Sequence, residues 1–268
     1  MIMNITIFTS NKVRHLYLIK KLSKICEKLF VVLETDTIFT GLNEGDYNIS
    51  KIKKEYFSRV IEAEKKIFSD ETNYLDESNL SILPIKLKDI NNLTIDYLNP
   101  FLKSDLYIVY GSSYIKNDLL NILKLKKTLN IHGGLSPWFK GTDCNFWALY
   151  LNKPQFVGST IHYLTEEIDG GDILYHALSN IETDDPFIYS MSTIKSAFIS
   201  IIKRISSKKI FSLSSVKQDK KKIIKQSFKK DFTDKTIEDF YKMKIDLRNL
   251  KFDQSLYKDS YIWDGKDI

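Results

Sequence analysis

The sequence has little of what marks several classes of protein. Its two cysteines, Cys26 and Cys144, stand far apart with no CxxC spacing, which argues against a disulfide framework and against a zinc site. No apolar run reaches the ~20 residues of a membrane-spanning helix, and residues 1–10 do not follow the signal-peptide pattern. We therefore expect a cytoplasmic protein that needs no metal and no membrane partner.

Charge is nearly balanced, with a net value of +6. Such a charge can assist an anionic substrate but does not by itself imply nucleic acid. Residues 217–230 concentrate seven lysines in fourteen positions. The run lacks the aromatic spacing and glycine pattern of a nucleic-acid platform, so a solvated hairpin is preferred over an RNA-binding segment.

Two glycine motifs are also missing. No GxGxxG follows the first apolar run, and Gly111-Ser112-Ser113-Tyr114-Ile115 lacks the last glycine of a nucleophile elbow. What is present at the start is a strand over 4–9, a helical apolar stripe from Val13 to Leu22, and a strand over 29–33. This order predicts a βαβ unit, and hence an α/β fold with a mostly parallel sheet flanked by helices.

The remaining pattern extends that arrangement. Helices are predicted over 52–68, with an exposed character, and over 119–125; strands are predicted over 106–110, 128–132, 157–164 and 172–178. Asp184-Asp185-Pro186 predicts the start of a long helix, with proline at its first position. Leu83-Pro84 and residues 93–99 are predicted to flank a turn, with a further helix as the alternative for this region. The length allows one sizeable core, which we divide into a catalytic domain over residues 1–208 and a small C-terminal extension over 209–268.

The chemistry-bearing residues cluster near the middle of the chain. Asn130 and His132 are two apart on a predicted strand, so their side chains share one face. Asp169 precedes a Gly-Gly pair, where the flexible backbone can aim its carboxylate. An amide donor, a titratable imidazole and a carboxylate at a strand end are suited to acyl transfer.

These residues carry a resemblance. Asn130-Ile131-His132, then Leu135-x-Pro137, then Asp169 thirty-seven residues after the histidine, resemble the folate-dependent formyltransferase family, most closely over residues 105–178. The resemblance implies a Rossmann-like formyltransferase fold and N10-formyltetrahydrofolate as co-substrate, with no metal. It implies that Asn130, His132 and Asp169 are the catalytic set. Asn130 and a protonated His132 would donate to the formyl oxyanion, while Asp169 would raise the pKa of the imidazole and accept the amine proton directly or through water.

Further positions follow from the resemblance. Two segments hold the pterin ring of the folate in relatives, and the corresponding residues here are Ser113, Tyr114, Ile115, Leu164, Thr165 and Ile168. Candidates for acceptor contacts are Lys12, Arg14 and His15 near the first strand end, and Lys140 where many members have arginine. His162 and His176, considered with Cys144 as metal ligands, match no known spacing and are interpreted as packed or surface histidines.

The family has several branches with different acceptors. The extension is shorter than the C-terminal domain of the methionyl-tRNA branch, and Thr9 to His15 lacks the Gly-Ser-Asn-rich phosphate loop of the glycinamide-ribonucleotide branch. We therefore predict a nucleotide-linked amino sugar as acceptor, in bacterial surface-glycan (lipopolysaccharide) biosynthesis, and a homodimer without nucleic acid. The alternatives are purine synthesis by phosphoribosylglycinamide formylation, a formyltetrahydrofolate hydrolase, and a non-enzymatic RNA-binding protein on the same core.

Overall fold

The computed structural model describes residues 3–35, 49–68, 75–247, 250 and 252–266. These residues form ten strands and seven α-helices. The strands are β1 (Asn4–Ser10), β2 (Lys28–Thr35), β3 (Leu80–Lys86), β4 (Leu106–Val109), β5 (Leu129–His132), β6 (Phe139–Gly141), β7 (Ser159–Tyr163), β8 (Ile173–Ser179), β9 (Lys225–Ser227) and β10 (Tyr261–Trp263). The helices are α1 (Val13–Ser23), α2 (Lys51–Phe68), α3 (Ile95–Leu98), α4 (Asn117–Leu125), α5 (Cys144–Tyr150), α6 (Pro186–Ser206) and α7 (Asp234–Lys242).

Eight of these strands form one sheet in the order β10-β8-β7-β5-β4-β1-β2-β3. Neighbouring strands pair in parallel except for β7, which is antiparallel to both β5 and β8. Every residue of β4 and β8 is buried, as expected of strands that helices cover on both faces. The predicted fold class, an α/β fold with a mostly parallel central sheet, is confirmed.

The long helix α6 begins where the acidic residues and the proline predict. Asp185 is its N-cap, and the carboxylate accepts hydrogen bonds from the backbone N–H groups of Phe187 at 2.8 Å and Ile188 at 3.2 Å. Pro186 occupies the first helical position, where a missing N–H costs nothing. The buried side of α6 packs against β8 and α2, which closes one face of the sheet.

Two predictions in the first half of the chain were incomplete. Leu83 and Pro84, predicted only to flank a turn, lie in the edge strand β3, which pairs with β2 alone among the described strands. Proline is tolerated there because an edge strand need not donate on its outer side. Helix α2, expected to be exposed, buries Tyr56 and Phe68 because it packs between α1 and α6.

The C-terminal extension packs against the main fold at several places. β9 pairs in parallel with β6, α7 packs on α2, and β10 adds a parallel strand beyond β8. The lysine-rich run was predicted to be a solvated hairpin. The hairpin was wrong, because the strand within the run pairs with β6 from the middle of the chain and not with a neighbouring strand. Most of the run is exposed, as predicted.

Candidate active site

The carboxyl ends of β1, β2, β4 and β5 meet at one edge of the sheet, which is where open α/β sheets bind ligands. His132, the last residue of β5, is 6% exposed. Its Nε2 donates to the carbonyl of Phe139 at 3.1 Å, and its Nδ1 lies 3.3 Å from Asp169 Oδ1. Both ring nitrogens therefore face an oxygen, and only the imidazolium form can donate to both.

Asp169 lies in the loop between β7 and β8 with a left-handed backbone, φ +48°. One carboxylate oxygen accepts from the backbone N–H of Gly141 at 2.9 Å. The other lies within reach of His132 and of the Asn130 amide, whose Nδ2 donates across 3.4 Å. The structure thus brings Asn130, His132 and Asp169 together at the end of β5.

His162 is a fourth member of this cluster that the sequence reasoning set aside as packed or surface. It stands directly opposite Asn130 in the antiparallel pair of β5 and β7. The Asn130 Nδ2 donates to His162 Nε2 at 3.0 Å, and His162 Nδ1 donates to the carbonyl of Tyr163 at 2.9 Å. His162 therefore fixes which way the Asn130 amide points, and only knowledge of the strand register would have found it.

The electrostatics of the cluster favour an ionised carboxylate. Burial by itself raises the pKa of Asp169, but the charge that His132 can carry, the neighbouring His162 and the Gly141 N–H outweigh it and lower the pKa to about 2. Asp169 is therefore anionic throughout the physiological range. It carries a fixed negative charge next to the imidazole.

For the His132 imidazole, burial outweighs the neighbouring charges in setting the pKa. Burial lowers the pKa of His132 below its usual value, and His162 and Lys140 act in the same direction, while Asp169 and the Phe139 carbonyl raise it. The prediction that Asp169 raises the pKa of His132 is right for that pair of groups. It is wrong for the net result, because desolvation of the buried ring is the larger effect.

The cluster lies on the wall of a cavity of about 1290 Å³. The segments predicted for folate border the same cavity from the ends of β4 and β7, and Tyr114 is 46% exposed. The Tyr114 hydroxyl donates to the carbonyl of Glu166, which ties the two segments together. The folate candidates that line the cavity are Ser113, Tyr114, Ile115, Leu164, Thr165 and Ile168.

A buried carboxylate at the end of β2, not anticipated from the sequence, holds the first of these segments. Glu34 is 1% exposed and accepts from the backbone N–H groups of Ser113 and, at 2.9 Å, of Lys88. The Ser113 N–H is consequently engaged within the protein. Other groups of this segment are the ones left to face a ligand.

The residues proposed for acceptor contacts differ in position. Lys12, Arg14 and His15 line the cavity, but Arg14 is bound by Glu64 at 2.8 Å and by the Tyr110 hydroxyl at 2.9 Å. Burial acts to lower the pKa of Arg14, yet these partners hold it above the usual value, so its charge is paired.

The side chains of His15 and Lys140 are both buried and have partners within the protein. His15 is 2% exposed, with Nδ1 2.8 Å from the Thr9 hydroxyl, and burial followed by the nearby Arg14 and Lys12 lowers its pKa well below the usual value. The Lys140 side chain is 1% exposed and its ammonium lies 3.1 Å from Glu167. Lys140 does not line the cavity and instead anchors the loop that carries Asp169.

The extension contributes a wall of the cavity, which the division into a domain and an appendage did not anticipate. The lining residues from this part are Ser227, Phe228, Lys229, Phe232 and Phe240. The rings of Phe232 and Phe240 make edge contacts with Tyr56 of α2, at 5.0 and 6.4 Å. The extension therefore adds an aromatic wall with one lysine, Lys229, to the cavity.

Other candidate groups take structural positions. His176 accepts from the backbone N–H of Lys258 and donates to the carbonyl of Ser136, both at 2.9 Å, and burial lowers its pKa to about 4.

No group of His, Cys, Asp and Glu in the described ranges has a geometry that holds a metal ion. Among the helices formed by those same residues, none is long and apolar enough to cross a membrane.

Residues 98–196 match the family described as "Formyl transferase". The Bifunctional polymyxin resistance protein ArnA of Wigglesworthia glossinidia brevipalpis is 36% identical over 99 residues, which are 37% of this chain and 15% of that protein. The match thus spans only a small part of the curated relative.

Solved structures show the same fold over most of the chain. The phosphoribosylglycinamide formyltransferase from Anaplasma phagocytophilum aligns with a TM-score of 0.51 and 18% identity, covering 76% of this chain and 84% of that one. A 4-N formyltransferase from Francisella tularensis aligns with a TM-score of 0.51 and 19% identity, covering 85% and 77%. The residues 98–196 that match the formyl transferase family hold Asn130, His132 and Asp169, in agreement with the sequence resemblance.

Proposed function

We propose that this protein transfers a formyl group from N10-formyltetrahydrofolate to the amino group of a nucleotide-linked amino sugar. The observation that carries the proposal is the convergence of Asn130, His132 and Asp169 on the wall of a cavity large enough for two substrates. The formyl transferase domain supplies the reaction class.

In the reaction the acceptor amine attacks the formyl carbon, and a new C–N bond forms while negative charge builds on the formyl oxygen. Asn130 Nδ2 has two hydrogens. The 3.0 Å bond to His162 uses one, and the long 3.4 Å contact to Asp169 is the one that can be exchanged for the oxyanion. A protonated His132 donates to the same oxygen when the oxyanion replaces Asp169 or the Phe139 carbonyl as the partner of one of its two N–H groups. Such donors are typically worth about 3–4 kcal/mol each in the transition state.

Asp169 faces the nitrogen that becomes positively charged during attack. A carboxylate with a pKa of about 2 stabilises that charge but does not keep a proton at neutral pH. The amine proton therefore leaves through Asp169 or a water molecule. The C–N10 bond then breaks, N10 of the tetrahydrofolate is protonated, and the products are the formamide and tetrahydrofolate.

The donor is assigned to the side of the cavity bordered by the segments at 113–115 and 164–168. Ile168 is 37% exposed, so this side offers apolar surface to a flat pterin ring together with backbone polar groups. The bond between Tyr114 and Glu166 holds the two segments at a set separation, which suits a ring that inserts between them.

The aromatic wall from the extension supports a nucleotide-linked acceptor. Phe228 is 45% exposed and lies beside Lys229 on the cavity. An exposed ring can stack with a base, and a lysine can pair with a phosphate. At the end of β1, by contrast, Arg14 is paired with Glu64 and His15 is buried on Thr9, so two of the four residues predicted for acceptor contacts already have partners within the protein.

Formylation of phosphoribosylglycinamide is the second candidate, because enzymes of that kind share the fold at the same TM-score. It predicts turnover with the small ribonucleotide and none with an amino sugar. We further infer a homodimer in the cytoplasm that does not bind nucleic acid, with residues 1–208 as catalytic domain and 209–268 as extension. Light scattering tests the dimer, and a shift assay with RNA tests the last point.

The deciding experiment is a formylation assay with N10-formyltetrahydrofolate and several acceptors. The acceptors are nucleotide-linked 3-amino and 4-amino sugars, phosphoribosylglycinamide, and water alone. Release of tetrahydrofolate is followed by absorbance, and the mass gain of one formyl group identifies the acceptor. Product with an amino sugar supports the proposal, whereas product only with phosphoribosylglycinamide moves the protein to purine synthesis and refutes it.

A further inference from the structure

The backbone at Asp169 requires support. Its φ of +48° lies in the left-handed region, which residues with a Cβ enter at a cost. The two glycines that follow allow close approach, since a Cβ at Gly171 would lie 1.7 Å from the carbonyl oxygen of Tyr163. A loop in this conformation aims the carboxylate correctly only if something outside the loop holds it.

That support comes from Gln218 of the extension. The side-chain Nε2 of Gln218 donates to the carbonyl oxygen of Asp169 and to that of Gly171, both at 2.7 Å. Both hydrogens of one amide group are thus spent on carbonyls that flank the Gly-Gly turn. Two short bonds from a single planar group restrict rotation of the backbone on either side of Gly170.

Gln218 is itself fixed from both directions by a segment that we call the strap, residues 216–227. At its start, Val216 and Ile173 of β8 exchange backbone hydrogen bonds of 2.8 and 2.9 Å. At its end, β9 pairs with β6, whose Gly141 donates to the Asp169 carboxylate. The strap therefore connects β8, which follows the Asp169 loop, with β6, whose last residue Gly141 contacts the Asp169 carboxylate.

We propose that Gln218 is a positioning residue for formyl transfer, which holds the Asp169 backbone so that the carboxylate faces His132 and the Gly141 N–H. The inference rests on the proposed role of Asp169 and adds a role for the C-terminal extension within the catalytic centre. Gln218 does not itself line the cavity, and both of its hydrogen bonds go to backbone carbonyls; it acts through the loop.

The test compares Gln218→Leu, which keeps the size but donates no hydrogen bonds, with Gln226→Leu, the same change at an exposed position of the same strap. For Gln218→Leu we expect kcat to fall about tenfold to a hundredfold, as for other displaced catalytic groups. KM for the folate should stay within about twofold, because the folate segments are untouched. Gln226→Leu should match the wild type in both.

A second readout needs no substrate. The charged and titratable groups at His132 are Asp169, which raises its pKa, and His162 and Lys140, which lower it. If Asp169 swings away in Gln218→Leu, the His132 pKa measured by NMR titration of the ring falls further. Gln218→Glu, which at neutral pH directs carboxylate oxygens at the two carbonyls, should behave the same way and serves if the leucine variant does not fold.

Unchanged kcat and an unchanged His132 titration in the folded variants would overturn the proposal. A lower melting temperature with wild-type turnover would do so as well, because it would make Gln218 a structural residue only. Failure of the proposed function looks different. The wild type would then formylate no amino sugar, while the His132 titration would still report whether Gln218 holds Asp169.

Discussion

Replacing the buried carboxylate by an amide, Asp169→Asn, tests the electrostatics of the site through stability. The Asp169 side chain is 12% exposed, and its pKa is about 2 in the folded chain against an ordinary value of 3.8. Because the folded pKa is the lower one, ionisation stabilises the fold above pH 3.8, and this contribution is lost as the pH falls towards 2. A difference of this size corresponds to about 2 kcal/mol at pH 7 and about 1 kcal/mol at pH 3.

Urea unfolding of the wild type and of Asp169→Asn at pH 7 and at pH 3 measures this quantity. We expect the variant to be about 2 kcal/mol less stable at pH 7, with a gap that is about half as large at pH 3. Asp172→Asn makes the same chemical change on the same loop and should stay within about 0.5 kcal/mol of the wild type. A variant more stable than the wild type would refute the reasoning, because it would mean that the ionised Asp169 carboxylate destabilises the fold.

Three further outcomes follow from the same geometry. His132→Asn should lower kcat about a hundredfold to a thousandfold with little change in KM, as measured by tetrahydrofolate release. Turnover is proposed to need both protonated His132 and a neutral acceptor amine, so the wild-type kcat/KM should not change with pH between the pKa of His132 and that of the amine. Over the same pH range, kcat/KM of His132→Asn should rise by about one log unit per pH unit, because only the amine still titrates. A variant whose kcat/KM does not change with pH contradicts this. Gly171→Ala should not reach the wild-type fold, because its Cβ would lie 1.7 Å from the Tyr163 carbonyl oxygen; circular dichroism measures the loss of structure. Lys229→Glu should raise KM for a nucleotide-linked acceptor and leave KM for folate unchanged, and equal KM values would remove Lys229 from the acceptor site.

The parts of the fold that were predictable are those whose signal is local. Short apolar runs mark β1, β4 and β5, and the helix start at Asp185 and Pro186 needs only capping chemistry. β3 was missed because Pro84 argues against a strand unless the strand is known to lie at an edge. The buried side of α2 was missed because Tyr56 packs on rings from α6, α7 and the loop before α7, which the local periodicity does not reveal.

The residues of the candidate site also divide into those with a local sequence signal and those without one. Asn130 and His132 were found because a period of two places them on one face of a strand, and Asp169 was found by the Gly-Gly turn beside it. His162 was present in the sequence reasoning but stayed without a role, because its contact with Asn130 depends on the register of an antiparallel pair. Glu34 gave no signal at all, since an acidic residue at the end of a strand usually faces solvent.

The largest gap between sequence and structure concerns the extension, and it bears on the proposed acceptor side of the cavity. The cluster of Asn130, His132 and Asp169 is built from strands and loops within residues 98–196, the span that matches the formyl transferase family. The aromatic wall with Lys229, and the bonds from Gln218 to the Asp169 loop, come from residues after 208, which lie outside the matched span. A change in this part can alter the shape of the acceptor side while the cluster is preserved. Because the strap also holds Asp169, such a change must keep Gln218 or replace its two hydrogen bonds, which limits how freely the extension can vary.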